Sequence, residues 1–267
     1  MRSSASSAAG SRRRLGLPAT ISACLFDLDG VLTQTARVHA QAWKEMFDAF
    51  LKARAAATGD QFQPFDEVKD YDLYVDGKPR HDGVRSFLAA RHIALPEGSP
   101  DDAGDAETVY GLGSRKDQIF LDLIHRHGVA VYEGSVRYLH NIKAAGLKAA
   151  VVTSSKNCTE VLRAARLDGL FDTQVDGNTA EAKGLKGKPA PDTYLEAAKI
   201  LNTPPQAAAV FEDALAGVEA GRAGKFGIVI GVDREGQADA LREHGADIVV
   251  ADLADLADLA RHDENVT

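Results

Sequence analysis

The strongest constraint on how this chain can fold is a series of short, nearly unbroken apolar runs separated by helix-length segments. Residues 148–154, 208–211, 226–230 and 247–250 each read as a strand. Their apolar character hardly alternates, which marks strands covered on both faces. Such strands, joined by helical crossovers, form a parallel sheet. An earlier run of the same kind, 21–26, is cut off from the series by a long stretch of different texture. Residues 35–54 place Val38, Trp43, Met46, Phe47, Phe50 and Leu51 on one helical face. Further helical stretches surround 83–91 and 115–127, divided by a Gly-, Pro- and Asp-rich loop over 96–105. The expected architecture is therefore α/β: a Rossmann-like parallel-sheet core from 20–34 and 130–267, with a helical cap inserted over 35–129. Residues 1–19, rich in Ser, Ala and Arg, are expected to form a disordered basic tail. No apolar stretch follows Arg12–Arg14, as a signal peptide would require. The repeated Asp-Leu-Ala triplet over 252–260 is expected to be a solvated terminal helix.

Composition narrows the classes of function. The chain has 267 residues, 45% hydrophobic and 26% charged, which suits a soluble globular protein that builds its core without staples. A formal net charge of −8 disfavours nucleic acid and anionic membrane as partners. No run approaches the roughly 20 apolar residues that span a bilayer. Cys24 and Cys158 lack metal-ligand spacing and are expected to be buried reduced thiols of a cytoplasmic protein.

Four blocks carry chemistry, and all fall at or just after the ends of expected strands, the edge at which open α/β sheets bind ligands. In Asp27-Leu28-Asp29-Gly30, two carboxylates two residues apart on an extended segment point the same way. One can attack phosphorus while the other moves a proton, provided that a cation relieves their repulsion. Gly30 lets the backbone turn sharply beside them. Thr153-Ser154-Ser155-Lys156-Asn157 offers hydroxyls and amides to an anion. Lys188, ahead of Pro189 and Pro191, has restricted reach and can neutralise a phosphoryl group. The adjacent acids Glu212 and Asp213 suit a hard cation such as Mg²⁺. Taken singly, each block also fits an ordinary role: a strand-closing turn, an N-cap, a helix-entry loop, a solvated acidic loop. Their order and common location set them apart.

Together the four blocks resemble the haloacid dehalogenase superfamily of phosphotransferases, over nearly everything from Ile21 onward. The resemblance implies Asp27 as the nucleophile that forms an aspartyl-phosphate and Asp29 as general acid/base. It further implies Thr153 as phosphate ligand, Lys188 as charge stabiliser, and a Mg²⁺ site from Asp27, Asp29, Glu212 and Asp213. Within the superfamily, the run from Asp27 to Ala36, with His39 and Trp43 following, is similar to the opening of the β-phosphoglucomutase subfamily. Thr35, His39 and Trp43 are spaced to share one helical face. Gly77-Lys78-Pro79-Arg80 stands where that subfamily has a cap loop whose arginine grips a distal phosphate, and Ser114-Arg115-Lys116 resembles a second cap segment that meets substrate. Ser154, Ser155 and Asn157 read like its phosphate loop. Gln34 departs from the pattern, which usually has an acid there, and Thr153 stands where Ser is frequent.

The function these resemblances imply is Mg²⁺-dependent conversion of β-glucose 1-phosphate to glucose 6-phosphate through a bisphosphate, by a monomer acting on small phosphorylated sugars. The rival on the same fold is a sugar-phosphate phosphatase, in which water accepts the phosphoryl group. A non-catalytic binding module would be expected to have lost one of Asp27, Asp29, Lys188 or Asp213, and none is lost.

Overall fold

The computed structural model describes residues 15–256. The described parts of Met1–Gln34 and Ala130–Thr267 form one compact unit, and Thr35–Val129 forms a second.

The first unit is built on a six-stranded sheet, all of whose pairings are parallel: β1 (Ala23–Phe26), β2 (Lys148–Val152), β3 (Thr173–Val175), β4 (Ala208–Glu212), β5 (Ile228–Val232) and β6 (Ile248–Val250). The spatial order is β3-β2-β1-β4-β5-β6. Helices α4 (Glu133–Ala144), α5 (Cys158–Ala164), α6 (Gly177–Lys183), α7 (Asp192–Ile200), α8 (Leu215–Ala223) and α9 (Ala238–Glu243) connect the strands. Successive side chains of a strand point to opposite faces. Ala23 and Leu25 enter a core with Val152, Tyr194, Val210 and Val229. On the other face Phe26 stacks on Phe211 at 4.4 Å, and Tyr138 of α4 meets Phe211 edge-on at 5.7 Å. With both faces covered, neither tolerates polar residues, which is why the strands read as continuous apolar runs.

The second unit holds α1 (Thr35–Thr58), a π-helical turn at Tyr71–Val75, α2 (Arg80–Ala90) and α3 (Val109–His127). Its core joins Trp43, Met46, Phe47, Phe50 and Leu51 of α1 to Phe65, Phe87 and Leu112. Phe47 lies at its centre, 4.1 Å from Phe87 and 5.3 Å from Trp43 between ring centroids. Val38, expected on that face, is only half-buried. The Thr108 hydroxyl accepts from Gly111 N to start α3, and Gly128, at φ +73°, ends it.

Three sequence expectations need revision. The edge strand β3 was not expected; it is three residues long, and exposed Gln174 interrupts its apolar signal. Of the tail expected over 1–19, residues 1–14 lie outside the described residues, but Leu15 and Leu17 are buried and Tyr138 Oη donates to the Leu15 carbonyl at 2.7 Å. The segment expected as a solvated helix over 252–260 begins as a 3-10 turn, Leu253–Asp255, with Leu253 and Leu256 fully buried. Residues 257–260 lie outside the described residues.

Candidate active site

Register alone brings the acidic blocks together. Phe26 pairs with Phe211 on β4 and with Val151 on β2, so Asp27 emerges beside Glu212 and Val152. Asp27 N donates to Phe211 O at 2.9 Å, extending the ladder by one residue. This is the point in the sheet where chain order runs off in two directions, and such a point opens a crevice at the carboxyl ends of the strands.

Past Asp27 the backbone folds tightly on itself. Gly30 N donates to Thr33 O at 2.7 Å, while Thr33 N and Oγ1 both donate to Leu28 O. Gly30 adopts φ +87°, and a Cβ there would lie 1.6 Å from Asp213 Oδ2. The loop after β1 is thus packed directly on the carboxylate after β4, with no space for a methyl group. Gly30→Ala is expected to displace Asp213 and weaken divalent-cation binding at least tenfold, roughly the cost of disturbing groups that orient a metal ligand. Calorimetric titration with Mg²⁺ checks this, and wild-type affinity in the variant would refute it.

Lys188 supplies the positive charge. Its Nζ donates to Asp27 Oδ1 and pairs with Glu212 Oε1, and it lies 3.4 Å from Val152 O. Its side chain is only 1% exposed. Burial pushes the Asp27 carboxyl well above the ordinary range; Lys188 opposes this, while Glu212 and Asp29 add to it. For Lys188, burial favours loss of the proton, but Asp27 and Glu212 outweigh it and hold the ammonium charged. Glu212 is anchored at both oxygens: Tyr194 Oη donates to Oε1 at 2.7 Å and Ala214 N to Oε2 at 3.2 Å.

Carboxylate oxygens of Asp27, Glu212 and Asp213 lie within 4.8 Å of one another, all three residues buried. Three carboxylates against one ammonium leave two negative charges when all are ionised. A buried excess of that size calls for a cation, and an all-oxygen donor set suits a hard divalent one. The residues present therefore fit a divalent metal.

Thr153 completes the core cluster. Its Oγ1 donates to Asp29 Oδ2 at 3.2 Å and accepts from Ser155 N at 3.1 Å. Ser155 Oγ accepts in turn from Asn157 N at 3.2 Å, so each hydroxyl fixes the backbone two residues on. Ser154 and Asn157 lie half-buried in this loop.

Of the residues expected in the cap, His39, Trp43 and Lys116 come together. Lys116 Nζ donates to His39 Nδ1 and sits 5.2 Å above the Trp43 ring and 4.8 Å above that of Phe120, which also stacks on His39 at 4.0 Å. Thr35 is the buried first residue of α1. Arg80 begins α2 and is held by Asp117 at 2.9 Å and Gly113 O at 3.2 Å. Gly77, at φ +67°, makes the turn before it. Gln34 N donates to Ala130 O at 2.8 Å and its Nε2 to Val131 O at 3.2 Å, stapling the two chain crossings between the units. An ionised acid has no hydrogen to donate there. Gln34→Glu is expected to cost about 1–2 kcal/mol, read from the midpoint of chemical denaturation; an unchanged midpoint would contradict that role.

Sequence reasoning missed Tyr194, Arg234 and Gln237. Tyr194 could have been noticed as a phenol on the apolar face of the helix that follows Lys188. Arg234 and Gln237 follow β5, a strand end left without a motif although it carries Asp233, Arg234 and Glu235.

The sequence pattern of the haloacid dehalogenase-like hydrolases matches residues 21–225. The chain is 57% identical over 247 residues to a β-phosphoglucomutase of Mycobacterium bovis, covering 91% of this chain and 94% of that protein. The crystal structure of β-phosphoglucomutase from Clostridium difficile shares the fold, with a TM-score of 0.69 at 24% identity, over 92% of this chain and 100% of that one. A mutant of CbbY from Rhodobacter sphaeroides, solved with xylulose-1,5-bisphosphate, superposes with a TM-score of 0.64 at 25% identity, over 88% and 95% of the two chains.

Proposed function

The chain belongs to the haloacid dehalogenase-like hydrolase family, and from that premise we propose that it is a β-phosphoglucomutase, converting β-glucose 1-phosphate to glucose 6-phosphate through β-glucose 1,6-bisphosphate. The observation that carries the chemistry is the buried contact between Asp27 and Lys188 beside Glu212 and Asp213. A carboxylate sealed from water beside a fixed ammonium is poised to attack phosphorus, because the charge that develops meets a preorganised partner. Near full-length similarity to the mycobacterial enzyme selects the mutase among the activities this fold supports.

An Asp27 oxygen attacks the phosphorus of the donor, and the bond from phosphorus to the sugar or bisphosphate oxygen breaks. Asp29, its carboxyl steadied by Thr153, gives a proton to the departing oxygen. In the return step Asp29 takes the proton from the incoming sugar hydroxyl as that oxygen attacks the aspartyl-phosphate. Lys188 and the Thr153 hydroxyl hold the transferring group, with Ser154, Ser155 and Asn157 shaping the loop around it. Mg²⁺ bound at Asp27 and Asp213, with the main chain of Asp29, would supply positive charge to the phosphoryl oxygens. Glu212, both oxygens already engaged, is assigned to holding Lys188 in place. Arg80 and Lys116, with His39 and Trp43, are assigned to the sugar and its second phosphate, a task suited to the planar fork of arginine. The enzyme acts as a cytoplasmic monomer.

The test supplies β-glucose 1-phosphate, Mg²⁺ and a trace of β-glucose 1,6-bisphosphate, and follows glucose 6-phosphate and inorganic phosphate together. Glucose 6-phosphate with little free phosphate is the expected result. Phosphate release without isomerisation would make the protein a phosphatase, and the absence of both products would overturn the substrate.

A further inference from the structure

The segment between β5 and α9 reaches both acidic loops of the site. Asp233 Oδ1 accepts from Gly236 N at 2.7 Å and from Gln237 N at 2.8 Å, closing a turn that fixes the two side chains between and after it. From this turn Arg234 Nε donates to Gly30 O at 2.9 Å, and Nη2 lies 3.4 Å from Val31 O and 3.3 Å from Ser135 Oγ. Nη1 donates to Ala251 O at 2.7 Å and lies 3.5 Å from Asp252. The guanidinium lies 3.6 Å from the centre of the Tyr132 ring, and its side chain is 11% exposed. From the same turn Gln237 Nε2 donates to Asp213 O at 3.2 Å.

Most of the guanidinium's donors are thus spent on main-chain carbonyls, and its face lies on an aromatic ring. A residue needed only for charge would not require this geometry, and a lysine cannot reproduce it. The carbonyls reached from this turn in the acidic loops belong to Gly30, next to Asp29, to Val31, and to Asp213 itself. These loops have no slack between them, since the Gly30 Cα lies against the Asp213 carboxylate.

We propose that the Arg234–Gln237 turn is a clamp that sets the spacing of the two acidic loops, with Arg234 and Gln237 as positioning residues for the phosphoryl-transfer site. The inference rests on the reading of Asp27, Asp29 and Asp213 as that site. Neither side chain touches the reacting atoms. Each acts by fixing the backbone on which a metal-binding or proton-carrying carboxylate is mounted, and such supports commonly contribute tenfold to a hundredfold in metal affinity or rate.

The test uses the full-length protein with Arg234→Met, Arg234→Lys and Gln237→Leu. Mg²⁺ affinity is measured by calorimetry without substrate, and kcat and KM for β-glucose 1-phosphate at saturating Mg²⁺. For Arg234→Met the Mg²⁺ dissociation constant is expected to rise roughly tenfold or more, and kcat to fall by a similar factor, with KM within about twofold of wild type. Arg234→Lys, which keeps the charge but loses the planar fork, is expected to show the same direction of change in both quantities. Gln237→Leu is expected to weaken Mg²⁺ binding severalfold. Wild-type Mg²⁺ affinity and kcat in folded Arg234→Lys and Gln237→Leu would overturn the clamp, as would a fall in kcat with Mg²⁺ affinity unmoved. Wild-type protein that neither binds Mg²⁺ nor turns over would instead overturn the underlying reading of the site.

Discussion

Replacing Asp27 with Asn is expected to lower turnover by about four orders of magnitude or more, the scale on which enzymes respond to loss of a covalent nucleophile. The same change should leave the fold intact or strengthen it. Asp27 is buried and flanked by Glu212 and Asp29, so burial and those two acids disfavour its charged form, and Lys188 offsets them only in part. An amide of the same size removes one negative charge from that crowd and keeps an oxygen that can accept from Lys188. Activity and stability should therefore separate: melting temperature equal to or above wild type, and no aspartyl-phosphate by mass spectrometry after exposure to β-glucose 1,6-bisphosphate. Mutase activity within tenfold of wild type would refute Asp27 as nucleophile. Loss of activity accompanied by a large drop in melting temperature would show that its role is structural.

Lys188→Met should damage both properties. The methionine side chain fills similar space, so the change removes chiefly the ammonium between Asp27 and Glu212. Two buried carboxylates then face each other without their common partner. Breaking a buried ion pair from one side costs about 3–5 kcal/mol, most of it the penalty of the charge left behind. Tyr194 and Ala214 N still donate to Glu212, so the larger part of that penalty should fall on Asp27. Turnover is expected to fall by at least about a thousandfold, because the charge that meets the phosphoryl group is gone. Urea denaturation with and without Mg²⁺ tests the electrostatic account. The stabilisation conferred by Mg²⁺ should be larger in Lys188→Met than in wild type, since a bound cation replaces part of the missing charge. Equal Mg²⁺ stabilisation in the two proteins would refute it.

Much of this architecture was legible in the sequence because its signals are local. Strands covered on both faces must be apolar at nearly every position, and Phe26 and Phe211, stacked on one face of the sheet, show why. The aromatic residues of α1 repeat at helical spacing because one side of that helix meets Phe65 and Phe87. The four chemical blocks could be found because strand ends in a parallel sheet share an edge, so motifs distant in sequence could be expected near one another. Local pattern failed where burial depends on what arrives from elsewhere. Leu15 and Leu17 look like part of a polar tail, yet they are buried, with Tyr138 bonded to the Leu15 backbone. Leu253 and Leu256 sit among acids in a repeated triplet and are nonetheless buried.

The sequence by itself determined a parallel α/β sheet interrupted by a helical segment, and the residue types able to carry phosphoryl-transfer chemistry. The sheet follows from apolar periodicity, which each stretch of chain carries alone, and the chemistry from four short motifs at expected strand ends and the family they resemble. The tertiary structure decided how the charges are shared. Lys188 lies between Asp27 and Glu212, Glu212 is saturated by Tyr194 and Ala214, and Gly30 gives Asp213 room that no side chain could. It also decided that a guanidinium more than 200 residues downstream, Arg234, fastens the Gly30 carbonyl. Such pairings depend on strand order and register across the whole sheet, and energies of that kind exist only once distant segments have been brought within hydrogen-bonding distance.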